Sequence, residues 1–149
     1  MARVGACALL VHLNSNMITI ANAGDCRVVL GTSAGGESIK SVPLSLDHNA
    51  REDREQKRLA AEHPGEEDIV KCKSKTACYV KGRLQPTRSM GDFYLKYSEF
   101  NGPEYSQGDR SRGRHIGGVY TPPYITATPE IIQHTRDDNN DRFLIIGKY

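Results

Sequence analysis

A seven-residue stretch between two apolar runs places the strongest constraint on how this chain can fold. Residues 21–27 read ANAGDCR and stand between apolar residues 17–21 and 28–30. Short apolar runs separated by a glycine are typical of buried β-strands joined by tight turns. We therefore expect one strand to end and the next to begin at Gly24 and Asp25, with Asp25 displayed at a sheet edge. The simplest role for this pair is a hairpin turn whose aspartate bonds to nearby amides.

The rest of the pattern predicts a mainly antiparallel β-protein. Strands are predicted over residues 5–13, 17–21, 26–31 and 38–45, as a four-stranded meander, and then over residues 68–72, 77–81, 124–127, 131–135 and 143–146. A helix is predicted over residues 51–63, capped by Asn49, with the mostly polar composition of a solvated surface helix. A second, short helix is predicted over residues 90–97. Residues 98–120 are rich in Gly and Arg and are expected to form a flexible loop.

Composition predicts a soluble globular protein of one domain. The chain has 149 residues, of which 38% are apolar and 26% charged, so it can bury a core without disulfides. Its net charge of +2 gives no reason to expect binding to nucleic acid or to a membrane. The first residues lack the form of a signal peptide, and no apolar run is long enough to cross a bilayer. The lysines at positions 71, 73, 75 and 81 are expected to lie in solvated loops.

The cysteines bear on the compartment. Cys7 and Cys26 lie in apolar strand patterns, whereas Cys72 and Cys78 lie in a basic segment, and no C-x-x-C pair occurs. We therefore expect four reduced thiols, two of them buried as small apolar side chains. Reduced thiols indicate an intracellular protein, located in the cytoplasm or in mitochondria.

Short motifs along residues 4–146 follow the order found in one enzyme family. They are GACA at 5–8, IANAGDCRVVLG at 20–31, LDHNA at 46–50, RL at 58–59, GRL at 82–84, TRSMGD at 87–92, PYITATPE at 123–130 and DRFLII at 141–146. Together they resemble the type 2C metal-dependent (PPM) protein serine/threonine phosphatases. The segments DHNA at 47–50, EHP at 62–64 and YTPPY at 120–124 are similar to the pyruvate dehydrogenase phosphatase branch in particular.

The resemblance implies an α+β fold in which an antiparallel β-sandwich is flanked by helices. It corresponds to the middle of a phosphatase domain, so residues 1–149 are expected to be a single partial domain, truncated at both ends. Strands at residues 5–13 and 141–146 would then expose apolar surface. Other protein subunits that complete the domain are possible partners.

The resemblance also implies an activity and a set of site residues. The family hydrolyses phosphoserine and phosphothreonine in phosphoproteins with a water activated by two Mg²⁺ or Mn²⁺ ions, which clustered carboxylates bind. Its principal ligand segments, Arg-x-x-x-Glu-Asp, Asp-Gly-His-Gly and Ser-Asp-Gly-x-x-Asp, do not occur in this sequence. Asp25 matches the family aspartate that helps to hold an additional, weaker metal. Residues that frame the cleft or the flap beside it correspond to Arg27, Asp47, His48, Arg88, Gly91 and Asp92.

Three interpretations are open at this point. The chain is a segment of an active metal-dependent phosphatase, or a phosphatase-like binding or structural subunit without the dinuclear metal site, or an unrelated β-protein that binds partners through its Gly/Arg-rich loop. The collinear motifs favour the first two. In either case no catalytic group is placed in this sequence, and we expect the polypeptide alone to be inactive.

Overall fold

The computed structural model describes residues 3–35, 38–102 and 115–148. Within these ranges the strands are β1 (Gly5–Ala6), β2 (Ala8–Leu13), β3 (Met17–Ala23), β4 (Arg27–Thr32), β5 (Lys40–Pro43), β6 (Val70–Cys72), β7 (Cys78–Val80), β8 (Met90–Gly91), β9 (Glu130–Thr135) and β10 (Asp141–Gly147). One α-helix, α1 (Asp53–Glu62), follows β5, and two 3-10 turns, Phe93–Leu95 and Ser98–Asn101, follow β8. No helix in the part described is both long and apolar enough to cross a bilayer.

Two three-stranded antiparallel sheets pack face to face. One has the order β2-β3-β9 and the other β10-β4-β5. Alternate residues of the central strands point inward, so Ile18 and Ile20 of β3 pack in one core with Val28 and Leu30 of β4. The expected α+β fold with an antiparallel β-sandwich is confirmed.

The predicted meander is wrong between its second and third strands. Strand β3 pairs with β2 and β9, whereas β4 pairs with β10 and β5. Both hydrogen-bonding edges of each strand are therefore occupied, and consecutive strands β3 and β4 lie in opposite sheets. Residues 24–26 form a corner between the two sheets rather than a hairpin turn. Gly24 has a φ of +133°, a conformation that favours glycine.

Helix α1 covers a second core and is less solvated than predicted. Leu59 is fully buried in this core, and so is Glu55, which is 2% exposed. The Glu55 carboxylate accepts hydrogen bonds from Thr87 Oγ1 at 2.6 Å and from Arg58 at 2.9 Å, and this pairing permits its burial. Asn49 does not cap the helix. Its Oδ1 accepts from the Arg51 N–H, within the turn that precedes the first helical residue, Asp53.

Two further predictions differ from the structure. Residues 124–127 form no regular strand, because Thr126 makes only an isolated bridge with Arg88. The segment 90–97 begins as strand β8, paired with β1, and continues as a 3-10 turn instead of an α-helix.

Two residues within the predicted flexible loop are packed into the fold. Asn101 and Ile116 are both buried. The Asn101 side chain exchanges two hydrogen bonds of 2.9 Å with the backbone of Ile116. Residues 103–114, the middle of this loop, lie outside the described residues.

The prediction of four reduced thiols is wrong for one pair. Cys72 and Cys78 form a disulfide. They lie directly opposite each other at the turn end of the β6-β7 hairpin, with Cα atoms 3.9 Å apart, so the antiparallel register brings the two sulfurs together. Cys7 and Cys26 are free thiols, as expected.

The outer faces of both sheets expose apolar side chains. On the first sheet Leu10 is 65% exposed and Ile131 is 56% exposed, and both lie beside Ala21 in the same row. On the second sheet Ile145 is 60% exposed, and the ring of Phe143 lies over Gly31. These rows match the expectation that the sandwich presents apolar surface on its flanks.

Candidate functional site

The corner between β3 and β4 is held by a buried asparagine. Asn22 is the inward-facing residue that follows Ile18 and Ile20 along β3, and it is 2% exposed. Its Nδ2 lies 3.1 Å from the Gly24 carbonyl oxygen, 3.2 Å from that of Cys26 and 3.0 Å from that of Leu46. One amide group therefore ties the corner to the segment that follows β5. A polar residue at an inward position of an apolar strand is the sequence signal for this role.

Asp25 projects from this corner and is half-buried. Its Oδ1 accepts from the Cys7 thiol at 3.2 Å and its Oδ2 accepts from Asn49 Nδ2 at 3.2 Å. Burial, together with the Asp25 charge, raises the pKa of Cys7 to about 11, so the thiol stays protonated at neutral pH and donates. Asp25 is thus oriented by two neutral donors.

Asp47 has a different electrostatic environment. Arg27 donates to it through Nε at 2.8 Å and Nη2 at 2.6 Å, and Arg51 adds a third bond at 2.9 Å. The hydrogen bonds from Arg27 and the charges of both arginines lower the pKa of Asp47 despite its partial burial. This carboxylate is neutralised by its partners and joins β4 to the turn before α1.

His48 lies directly behind the corner and is completely buried. Its Nδ1 lies 3.3 Å from the Gly24 nitrogen, and its Nε2 lies 3.2 Å from Oε2 of Glu130. Burial, with a contribution from the nearby Arg88 charge, lowers the pKa of His48. The imidazole is therefore neutral at physiological pH.

Arg88, Gly91 and Asp92 form a separate group around β8. Arg88 Nη1 donates to the Thr128 carbonyl oxygen at 3.0 Å. Asp92 is buried, and its Oδ2 accepts from Ser89 Oγ at 2.7 Å. Burial raises the pKa of Asp92. This group is linked to the corner through the backbone, because the Thr87 N–H donates to the His48 carbonyl oxygen at 2.9 Å.

The residues present do not fit a two-metal centre. Among the described residues no group of three or more His, Cys, Asp or Glu side chains could hold a metal ion. Asp47 is occupied by arginines, which leaves Asp25 as the carboxylate at the corner with only neutral hydrogen-bond donors in the part described. One carboxylate supplies too few oxygen ligands for Mg²⁺ or Mn²⁺.

Several residues of the corner were not singled out from the sequence. Cys7 and Asn49 contact Asp25, while Glu130 and Arg54 reach the corner through His48. Cys7 was interpreted as a small apolar residue and Arg54 as part of a solvated helix. Glu130 lies 82 positions from His48. No local pattern connects such distant positions, so only the pairing of β9 with β3 brings them together.

The free energy of unfolding is expected to fall as pH decreases from about 6.5. The pKa of His48 is lowered in the folded state, so the unfolded chain takes up this proton first. The stabilisation that comes from keeping His48 neutral is fully present above the ordinary pKa of about 6.5. It is lost as the pH falls through the pKa of His48 in the folded state. Urea denaturation between pH 5 and pH 8 measures the slope. His48→Asn should flatten it, whereas replacing the exposed His12 by Asn should not, and equal slopes in all three proteins would contradict this assignment.

The fold is similar to that of two solved phosphatase structures. The structure is similar to that of a serine-threonine phosphatase 2C from Toxoplasma gondii, with a TM-score of 0.61 and 13% identity, over 97% of this chain and 41% of that one. A second phosphatase from Toxoplasma gondii gives a TM-score of 0.53 and 17% identity, over 87% of this chain and 28% of that one. These similarities concern the fold.

Sequence comparison defines the family. A family model described as protein phosphatase 2C matches residues 1–148, and this chain belongs to the protein phosphatase 2C family. It is 36% identical to the human mitochondrial pyruvate dehydrogenase [acetyl-transferring]-phosphatase 2, over 96% of this chain and 27% of the relative. It is 39% identical to the probable protein phosphatase 2C 38 of Arabidopsis thaliana, over 98% of this chain and 36% of the relative. The chain thus spans between about a quarter and about a third of the length of these curated relatives.

Proposed function

We propose that this chain is the central part of a metal-dependent protein serine/threonine phosphatase domain. The observation that carries the proposal is Asp25, which lies at the corner between the two sheets and is oriented by Cys7 and Asn49 without a cationic partner in the part described. A carboxylate whose hydrogen-bond donors are neutral can still attract a cation, because its partners do not compensate a negative charge. The match of the family model over residues 1–148 supports the same assignment.

The cation in this proposal is Mg²⁺ or Mn²⁺, because both prefer carboxylate and water oxygens. In the family the metal ions supply an activated water and stabilise charge on the phosphoryl oxygens. Asp25 would contribute one ligand of an additional site, and the remaining ligands would come from segments that this sequence does not contain. Arg27, Asp47 and His48 hold the corner that presents Asp25, and Arg88, Gly91 and Asp92 shape the adjoining flap.

The proposed substrate is a phosphoprotein that carries phosphoserine or phosphothreonine. Other parts of a longer protein, or a second subunit, would cover the exposed rows around Ile131 and Ile145. We propose an intracellular location, in the cytoplasm or in mitochondria. The mitochondrial relative among the similar sequences supports the second of these compartments.

The polypeptide of residues 1–149 is expected to show no metal-dependent phosphatase activity, because it places only one suitable carboxylate at the corner. A longer protein that adds the family's three acidic segments should release phosphate from a phosphoserine peptide. That activity should require Mg²⁺ or Mn²⁺ and disappear with a chelator. Both proteins are assayed side by side. Chelator-sensitive turnover by residues 1–149 alone would contradict the ligand count, and an inactive longer protein would contradict the proposed function.

A non-catalytic phosphatase-like subunit is the second candidate. The observation in its favour is that the three principal ligand segments of the family are missing from this sequence. This candidate predicts that a longer form of the protein also fails to release phosphate, although the protein still binds its partner. The assay of the longer protein therefore separates the two candidates.

A further inference from the structure

Two reciprocal hydrogen bonds join the corner to His48. The Gly24 N–H donates to His48 Nδ1 at 3.3 Å, and the His48 N–H donates to the Gly24 carbonyl oxygen at 3.1 Å. Both residues are buried, and the His48 side chain is 0% exposed. Water cannot easily replace the imidazole as acceptor for the Gly24 amide, so loss of Nδ1 would leave a buried donor unsatisfied.

The hydrogen bonds define the tautomer of His48. Because Nδ1 accepts the Gly24 N–H, it carries a lone pair, and the proton of the neutral imidazole resides on Nε2. Nε2 then donates to Oε2 of Glu130 at 3.2 Å. Arg54 binds both oxygens of Glu130, at 3.0 and 3.1 Å, and these hydrogen bonds lower the pKa of Glu130. Glu130 is thus an ionised carboxylate that only accepts.

We propose that Glu130 and His48 form a positioning pair that fixes the direction of the Asp25 carboxylate. Glu130 holds the proton of His48 on Nε2, so that Nδ1 remains the acceptor for the Gly24 amide. Gly24 precedes Asp25 directly, and the amide therefore anchors the backbone from which Asp25 projects. Neither residue touches the Asp25 side chain, and both act through the corner.

Two neighbouring contacts make Asp25 sensitive to small movements of this pair. Asn49 follows His48 directly and donates to Asp25 Oδ2, so a displacement of residue 48 moves both Gly24 and the Asn49 amide. On the other side Cys7 packs closely against the corner, because a Cβ on Gly24 would lie 2.3 Å from Cys7 Sγ. The corner is therefore confined between Cys7 and His48.

A matched pair of substitutions separates positioning from packing. In His48→Asn the side-chain oxygen can take the place of Nδ1 and still accept the Gly24 N–H, while contact with Glu130 is lost. In His48→Gln the amide reaches the place of Nε2 and can still meet Glu130, while the Gly24 acceptor is lost. His48→Asn removes more volume from this buried site than His48→Gln, so packing alone predicts the larger effect for His48→Asn, the reverse of the order expected from positioning.

The first readout is hydrogen exchange of the Gly24 amide, measured on the longest form of the protein that can be purified. We expect exchange in His48→Asn to stay within about threefold of the parent and exchange in His48→Gln to be at least about tenfold faster, after correction for global stability. Glu130→Ala should also accelerate exchange, whereas Glu130→Gln, whose amide oxygen still accepts from Nε2, should not. Equal acceleration in both His48 variants, or none in Glu130→Ala, would overturn the proposal. If His48→Gln does not fold, the two Glu130 variants decide.

The second readout concerns Asp25 itself and rests on the proposed function. In the catalytically active longer protein, His48→Gln should raise the Mn²⁺ concentration needed for half-maximal turnover several-fold, with a smaller change in KM for the phosphopeptide. If exchange at Gly24 is rapid but the metal dependence is unchanged, the result supports the positioning pair and contradicts a role for Asp25 in the metal site. A failure of the proposed metal role is thereby distinguished from a failure of the positioning pair.

Discussion

Replacing Gly91 by alanine is expected to destabilise the fold by about 3 kcal/mol or more. Gly91 has a φ of +74°, and it pairs with Gly5 where β8 meets β1. A Cβ at this position would lie 2.3 Å from the Val4 carbonyl oxygen and 3.1 Å from the Gly5 Cα, both backbone atoms that cannot rotate away. Left-handed strain and steric overlap therefore act together. Thermal or urea denaturation of Gly91→Ala beside the parent measures the loss.

Two other glycines serve as controls because they separate strain from overlap. Gly65 has a φ of +81°, but no atom of the described residues lies within 4 Å of the position that a Cβ would take, so Gly65→Ala should cost only about 1 kcal/mol. Gly117 has neither a positive φ nor a close neighbour in the part of the chain that the structure describes, and Gly117→Ala should change stability by less than about 0.5 kcal/mol. A Gly91→Ala protein as stable as Gly65→Ala would show that β1 and β8 are not packed as described.

Removing the Glu66 charge is expected to destabilise the protein by about 3 kcal/mol, because it leaves the Lys81 ammonium group short of a buried partner. Lys81 Nζ is completely buried and pairs with Glu66, with Asp68 Oδ1 at 2.6 Å and with the Val119 carbonyl oxygen at 3.1 Å. Burial raises the pKa of Glu66, but hydrogen bonds from Lys81 and from Tyr124, at 2.7 Å, outweigh it and lower the pKa overall. Glu66→Gln tests this contribution.

A double variant and an exposed pair provide the controls for this prediction. If the loss arises from an uncompensated charge, Lys81→Met combined with Glu66→Gln should cost less than the sum of the two single changes. Breaking the exposed pair of Arg136 and Asp138 by Asp138→Ala should cost less than about 1 kcal/mol. Strict additivity in the double variant would contradict the direct coupling of Glu66 and Lys81.

The strands were predictable because an apolar run is a local feature of the sequence. The apolar runs at residues 17–21 and 28–30 predicted β3 and β4, and the family motifs predicted the sandwich. The sheet that each strand joins could not be read from the same pattern. Buried strands in one sheet and in two facing sheets have similar sequences, and only the occupied edges of β3 and β4 decide between them.

The buried polar groups were the least predictable part of the chain. Lys81 was expected in a solvated loop with its neighbouring lysines, yet it is completely buried. Glu55 was expected on a solvated helix, yet Thr87 binds it in the core. In both cases burial depends on a partner that is distant in the sequence, and no periodic pattern in the sequence indicates that partner. The disulfide between Cys72 and Cys78 was missed for a related reason, since it depends on the register of β6 and β7.

The candidate site was predictable in part. Asp25 was singled out from the family motif, and the structure places it at the corner with Arg27, Asp47 and His48 nearby, while Arg88, Gly91 and Asp92 form the separate group at β8. The metal role of Asp25 stays a prediction. Its hydrogen-bond partners Cys7 and Asn49 come from two other segments of the chain, which no spacing rule connects.

Metal-titrated kinetics of Asp25→Asn in the active longer protein test the central claim most directly. Asparagine keeps the size of the side chain and tolerates the corner, so the melting temperature should change little. Turnover should fall and the Mg²⁺ or Mn²⁺ concentration needed for half-maximal activity should rise several-fold, because a hard cation loses one charged oxygen ligand. If turnover and metal dependence instead match those of the parent, Asp25 is a structural residue of the corner and takes no part in the metal site.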